Sequence, residues 1–203
     1  MNRTRLKIAL LAPLAASSLT ACGVNSIPTA EEEAKAKWAD VQAAYQRRAS
    51  LVPNLVSTVR GAAASEERIL TRVTQARAAA TSVTVSGDQL TDPAAMQRYA
   101  EAQNRLSASI VPLQRLQEAY PNLQSQANFA TLMSQLESTE NRINITIRDY
   151  NTAVQSYNTT IRTFPAVIGA KVIYGAKPMA TFQATTPNAD QAPEVNFDTN
   201  TGA

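Results

Sequence analysis

The sequence predicts an all-α fold: an elongated antiparallel helical bundle of three long helices plus a short C-terminal helix, up-and-down in the manner of a four-helix bundle. Three observations predict it. Apolar residues recur every three or four positions through long segments that share a helical period. Proline-bearing turns at Asp92-Pro93, Tyr120-Pro121 and Phe164-Pro165 separate those segments. Aromatics make up only 5% of the chain while Ala, Gln and Thr abound, as in bundles with small inter-helix contacts.

The N-terminus reads as an export signal. Arg3, Arg5 and Lys7 precede an apolar stretch from Ile8 to Ala16, which is too short to span a bilayer and is followed by small residues. Leu19-Thr20-Ala21-Cys22 resembles the bacterial lipobox, which implies cleavage between Ala21 and Cys22 and a lipid on Cys22. Residues 1–21 are thus expected to be a lipoprotein signal peptide, and residues 22–30 a short lipid-anchored tether. Gly23 after the cysteine points, by the sorting rule of enteric bacteria, to the outer membrane facing the periplasm.

The bundle is expected over residues 31–182. Thr29 is the expected N-cap, with Glu31 to Glu33 in the first turn, where the helix dipole favours acids. The first seam runs Trp38, Val41, Tyr45, Arg48, Val52, Leu55, Val59, Ala62, Glu66, Ile69, Val73 and Ala76. Pro53 predicts a kink or break near residues 51–53, and Gly61 marks a second weak point. Arg48 and Glu66 stand in the seam and are expected to pair with each other or with Glu140, or else to form a partner site.

Residues 81–93 are turn-rich and read as a connecting loop. Asp92 then Pro93 gives an N-cap followed by proline at the first helical position. Met96, Tyr99, Gln103, Leu106, Ile110, Leu113 and Tyr120 continue the period, with a kink expected at Pro112.

The run from Phe129 to Phe164 organises the chain. Leu132, Leu136, Thr139, Ile143, Thr146, Tyr150, Val154, Tyr157 and Ile161 keep the three–four spacing between its ends. A helix of this length measures roughly 54 Å at about 1.5 Å per residue. A polar stripe runs beside the seam: Glu140, Asn144, Arg148, Asn151, Gln155, Asn158 and Arg162. It is read as a solvated face, as a buried or half-buried polar contact with the first helix through Arg47 or Arg48 and Glu66, or as a partner-binding face. The candidate polar network is therefore Arg47, Arg48, Glu66, Glu140, Arg148 and Asn151. Residues 166–177 suggest a short fourth helix, and residues 183–203 a mobile tail whose Val195 and Phe197 either dock or stay free.

Composition narrows the functions. There is no His and a single Cys, which removes the commonest general base and metal ligand and any intramolecular disulfide. Neither a cofactor nor a metal is expected. Without Arg3, Arg5 and Lys7, the 19 basic residues fall to 16 and equal the 16 acids. A neutral domain argues against nucleic acid as a partner.

The motifs resemble the LemA family. They are Tyr45 to Val56, Val59-Arg60-Gly61, Glu66, Val73 to Arg77, Tyr120 to Leu123, Thr139 to Ile143, Arg148, Tyr150-Asn151, Tyr157-Asn158 and Phe164-Pro165, spread over roughly residues 38–182. The resemblance implies an all-helical domain of a family mostly without an assigned activity, one branch being linked to magnetosome formation. Two departures stand out. A lipobox replaces the transmembrane helix common in the family. Ser65-Glu66 stands where a His-Glu pair is common, so no metal or acid–base role is expected there.

These readings favour a membrane-tethered, non-enzymatic scaffold or adaptor of the bacterial cell envelope, with a protein partner or self-association. Two alternatives remain. One is a lipid-binding or membrane-assembly module, although no basic amphipathic surface is evident beyond the anchor. The other is an accessory protein of an envelope protease or stress system. Glu137 and Glu140 could in principle form a glycosidase carboxylate pair, but no sugar cleft with aromatic walls is foreseen.

Overall fold

The computed structural model describes residues 25–63, 66–120 and 127–183, and within them every regular element is helical. Helix α1 spans Ser26–Ala62 and α2 spans Glu67–Ser82. A 3₁₀ turn covers Gly87–Thr91, α3 spans Pro93–Ala119 and α4 spans Ala127–Thr160. A short α5, Ala166–Gly169, runs on into a π-helical turn at Ala170–Tyr174.

Helix α1 packs along α4, and α2 packs on both α3 and α1. The pairing of α1 with α4 is antiparallel. Trp38 meets Tyr150, and ten residues further along α1 Arg48 meets Glu140, ten residues back along α4. The order is therefore up, down, up, down; the bundle is all-helical and up-and-down as expected, but its fourth helix comes from a split of the first expected segment into α1 and α2, not from the short C-terminal helix. The second helix is short, 16 residues against 37 in α1, so residues 83–92 complete its path down the bundle. Val85 and Leu90 bury there, and the Val85 carbonyl accepts from Trp38 Nε1 at 2.9 Å and Gln42 Nε2 at 3.0 Å. Residues 83–92 thus serve as a packed loop.

Several boundaries differ from the sequence expectation. Helix α1 begins at Ser26, so residues 26–30 belong to the bundle instead of the tether. The cause is Ile27, which is fully buried in one core with Ile161, Ala166 and Ala170. Thr29 is accordingly not the N-cap; its hydroxyl donates back to the Asn25 carbonyl inside the first turn. Pro53 and Pro112 both lie within continuous helices. The break comes instead at Ala63, just after Gly61, and it resets the phase: Leu70, Val73 and Ala80 are buried in α2, while Ile69 and Ala76 are half-buried. Helix α4 ends at Thr160, and Phe164, expected in the seam, is 80% exposed. The caps of α3 follow expectation, with Ala94 N donating to Asp92 Oδ1 at 2.9 Å and Pro93 in the first turn.

The core divides in two. One cluster contains Trp38, Tyr45, Tyr99, Ile143, Tyr150 and Phe182, at the end where α1 starts and α4 finishes. The other contains Val52, Leu55, Leu70, Leu113, Phe129 and Leu136. Burying two such apolar clusters supplies the main driving force at about 25 cal/mol per Å². A polar layer lies between them.

Candidate functional site

That layer is built on Arg48. It enters the core because α1 places it one turn from both Tyr45 and Val52, on the buried face. Its side chain is 3% exposed. Nη2 donates to the Gln103 backbone carbonyl at 2.9 Å and to Gln103 Oε1 at 3.1 Å. Nη1 donates to the Ser107 hydroxyl and to Glu140 Oε2, the latter at 3.3 Å. The guanidinium carbon also lies 4.9 Å from the centre of the Tyr45 ring, a cation–π contact. Gln103 in turn donates from Nε2 to the Ala80 carbonyl at 3.1 Å. Arg48 with Gln103, Ser107 and Glu140 thus joins α1, α3 and α4, and Gln103 brings in the end of α2. A planar fork suits this task where a lysine would not.

The expected network is only partly assembled. Arg48 and Glu140 do meet, although the Glu140 side chain is 50% exposed and so is not a buried partner. Glu66 does not reach Arg48; the break at residue 63 turns it toward Tyr120, whose hydroxyl donates to Glu66 Oε1 at 3.0 Å. Arg47 and Arg148 lie on the exposed face of their helices and outside the layer. Glu137 is exposed, while Glu140 is held by Arg48. Ala21 and Cys22 lie outside the described residues.

Asn151 belongs to a different device. Its Oδ1 accepts from Phe182 N and its Nδ2 donates to Phe182 O, both at 2.8 Å. Two turns further along α4, Asn158 does the same for Met179 N and O, both at 2.9 Å. The Tyr150 hydroxyl donates to the Ala180 carbonyl at 2.9 Å, and the Tyr157 hydroxyl to the Lys177 carbonyl at 3.2 Å. On the other side, Ala180 N donates to the Leu90 carbonyl at 2.8 Å. Residues 176–183 are therefore an extended strap, its backbone hydrogen bonds supplied by side chains of α4 and by the 83–92 loop. Gly175, at φ 56°, makes the left-handed turn that sends the strap back along α4.

The strap ends in Phe182, 1% exposed. Its ring lies 5.3 Å from Trp38, 6.1 Å from Tyr45 and 5.9 Å from Tyr99. Trp38 further touches Tyr99 at 5.3 Å and Tyr150 at 5.1 Å, completing an aromatic cluster with edge-on and tilted contacts. Burial pushes the Tyr99 phenol up to about 12, with the Arg48 charge acting the other way. The phenols of Tyr45 and Tyr150 are raised by the same cause.

Sequence reasoning missed Ser107, the double role of Gln103, and the strap. The available signals were a glutamine set in an apolar seam, and two asparagines two turns apart on one face of α4. Chemically the arrangement positions and cross-links. A groove of about 250 Å³ beside Tyr45 and Tyr99 is lined by Gln42, Gln46, Thr84 and Gln103 and by no charged side chain. Among the described residues no group of three or more His, Cys, Asp or Glu is placed to hold a metal ion.

No curated protein matches the chain. Set against known protein families, residues 37–197 match the LemA family, and this stretch contains the polar layer, the asparagine clamps and the strap. The match spans well over half of the 203 residues, and the chain belongs to the LemA family.

Proposed function

We propose that this protein is a membrane-tethered, non-catalytic helical adaptor of the bacterial cell envelope, anchored through a lipid on Cys22 and facing the periplasm from the outer membrane. The observation that carries the reading is the distance from Cys22 to the folded domain. Helix α1 starts at Ser26, four residues on, with Ile27 already locked in the core. Four residues reach at most roughly 14 Å. A lipid at Cys22 would hold this end of the bundle against the bilayer, while α1, roughly 55 Å long, carries the opposite end outward. The interior polar groups support a structural role, since Arg48, Gln103, Asn151 and Asn158 direct their hydrogen bonds to neighbouring helices and the strap.

The test is crosslinking in cells of the full lipoprotein beside Cys22→Ser, with membrane fractionation. The reading expects both membrane association and one dominant protein crosslink to be lost in the variant. Unchanged fractionation of Cys22→Ser would remove the lipid anchor from the account. Crosslinks only between copies of the chain would turn the adaptor into a self-assembling component.

A further inference from the structure

The end of the bundle next to the tether carries a second feature. Between the end of α4 and the strap, the chain forms a projecting tip, residues 161–175. Its inner side is small and buried: Ala166, Gly169 and Ala170 pack on the bundle. Its outer side is large and apolar. Phe164 is 80% exposed, Val172 79%, Ile173 63%, Ile168 51% and Tyr174 44%. Five large side chains within eleven consecutive residues form a concentrated apolar surface, unlike the scattered single apolar residues normal on proteins.

Two observations say what covers it. The first is charge. Residues 161–183 include Arg162, Lys171 and Lys177, all exposed, and no Asp or Glu. On α1 at the same end, Glu31 and Glu32 are bonded to Lys35 at 2.8 and 3.0 Å, and Glu33 beside them is exposed. The second is where the preceding chain leaves. Ile27 packs in one cluster with Ile161, Ala166 and Ala170, so Asn25, three residues after Cys22 in sequence, lies beside the tip. An apolar surface whose own charged residues are all cationic, at the end of the bundle where α1 begins, has the chemistry of a bilayer interface.

We propose that the 161–175 tip inserts into the headgroup boundary of an anionic lipid bilayer, with Phe164, Ile168, Val172 and Ile173 in the acyl region and Arg162, Lys171 and Lys177 on the phosphates. The proposal rests on the tethered orientation just argued, and it makes the tip a second membrane contact that fixes how the bundle stands. The tip also explains why aliphatic side chains are left outside a fold that could have used threonine there.

The experiment uses the full chain in four forms: wild type, Cys22→Ser, Val172→Asp with Ile173→Asp, and all three changes together. The substituted tip positions are exposed, so circular dichroism and melting should be unchanged. Sedimentation with phosphatidylglycerol vesicles and with phosphatidylcholine vesicles reads binding. With Cys22→Ser as background, the tip substitutions should lower binding to phosphatidylglycerol roughly tenfold or more, and salt should weaken what remains. Equal binding with and without the tip substitutions overturns the proposal. Loss of binding on Cys22→Ser alone, with no further loss at the tip, leaves the anchor standing and removes the tip. A photo-crosslinker in place of Ile173 that captures a protein, a second copy or residues 184–203 instead of lipid also overturns it.

Discussion

Arg77 Nε donates to the carbonyl oxygen of Ala49 at 2.8 Å, and Ala49 lies four residues before Pro53. In an uninterrupted α-helix the amide of residue 53 would serve that carbonyl; proline has none. Ala49 is 2% exposed, so water is a poor substitute. The guanidinium of α2 supplies the missing donor from outside, and α1 runs on through the proline.

The pair predicts a non-additive cycle. Arg77→Met keeps the aliphatic stem and removes the donor, which should cost about 1–3 kcal/mol beside Pro53. Pro53→Ala restores the amide and should stabilise the helix by up to about 3 kcal/mol. In that background Arg77→Met should cost less than about 1 kcal/mol, because Ala49 keeps an intrahelical donor. Urea melts of the four proteins measure it, and an equal cost in both backgrounds would reject the substitution of one donor for another.

The Arg48 layer predicts an unusual order of stabilities. Glu140→Ala leaves a buried guanidinium without its counter-charge, though Gln103 and Ser107 still hold it. Because the Glu140 side chain is half-exposed, the cost should be about 1–3 kcal/mol, short of the 3–5 kcal/mol for breaking a fully buried pair. Adding Arg48→Met removes the stranded charge, and the double variant should be at least as stable as Glu140→Ala alone. Thermal melts in which the double variant is the less stable of the two would show that the layer is held by its neutral hydrogen bonds.

The three–four spacing made the architecture legible, and it placed Trp38, Tyr45, Arg48, Tyr150 and Tyr157 on buried faces correctly. It failed where the period was carried across a break. Continuing the α1 seam past Gly61 put Glu66 opposite Arg48, whereas the helix restarts with a new phase and gives Glu66 to Tyr120. Pro53 misled in the other direction, since the residue that rescues the helix lies 24 positions away in α2. The strap left no periodic trace. An asparagine amide can grip any backbone, and nothing in the local pattern around Asn151 indicates a partner 31 residues downstream. Likewise the exposed tip looks in sequence like an ordinary amphipathic turn; only the burial of Ala166, Gly169 and Ala170 shows which side faces out.

The asparagine clamps predict a releasable strap. Asn151→Asp together with Asn158→Asp keeps size and acceptors but deletes both donors to Phe182 O and Met179 O, and it sets carboxylates against those carbonyls. Each lost bond should cost about 1–3 kcal/mol locally. Phe182 would then leave Trp38, the only tryptophan, so emission should shift to the red and quench more readily. Chymotrypsin should begin to cut after Phe182 while the helices stay folded. Unchanged emission and an uncut strap would mean that Phe182 holds the segment without the clamps.

Alkaline pH should unfold the bundle in a narrow window. Tyr99 is raised from an ordinary 10.0 to about 12 by burial, and Tyr45, Tyr150 and Tyr157 are raised as well, again chiefly by burial. A raised phenol means that the folded state keeps its proton where the unfolded chain loses it. Stability from these groups is therefore complete below pH 10 and drains away as pH rises toward each folded value. The loss should start near pH 10 and steepen toward pH 12 as each buried ring adds its share to the proton release on unfolding. Tyrosinate absorbance of the buried rings and helical circular dichroism, followed together, should change in one step. Tyr99→Phe removes one titrating group and should move the midpoint upward. Full ionisation of the tyrosines with the helix signal intact would show that solvent reaches the aromatic cluster without unfolding.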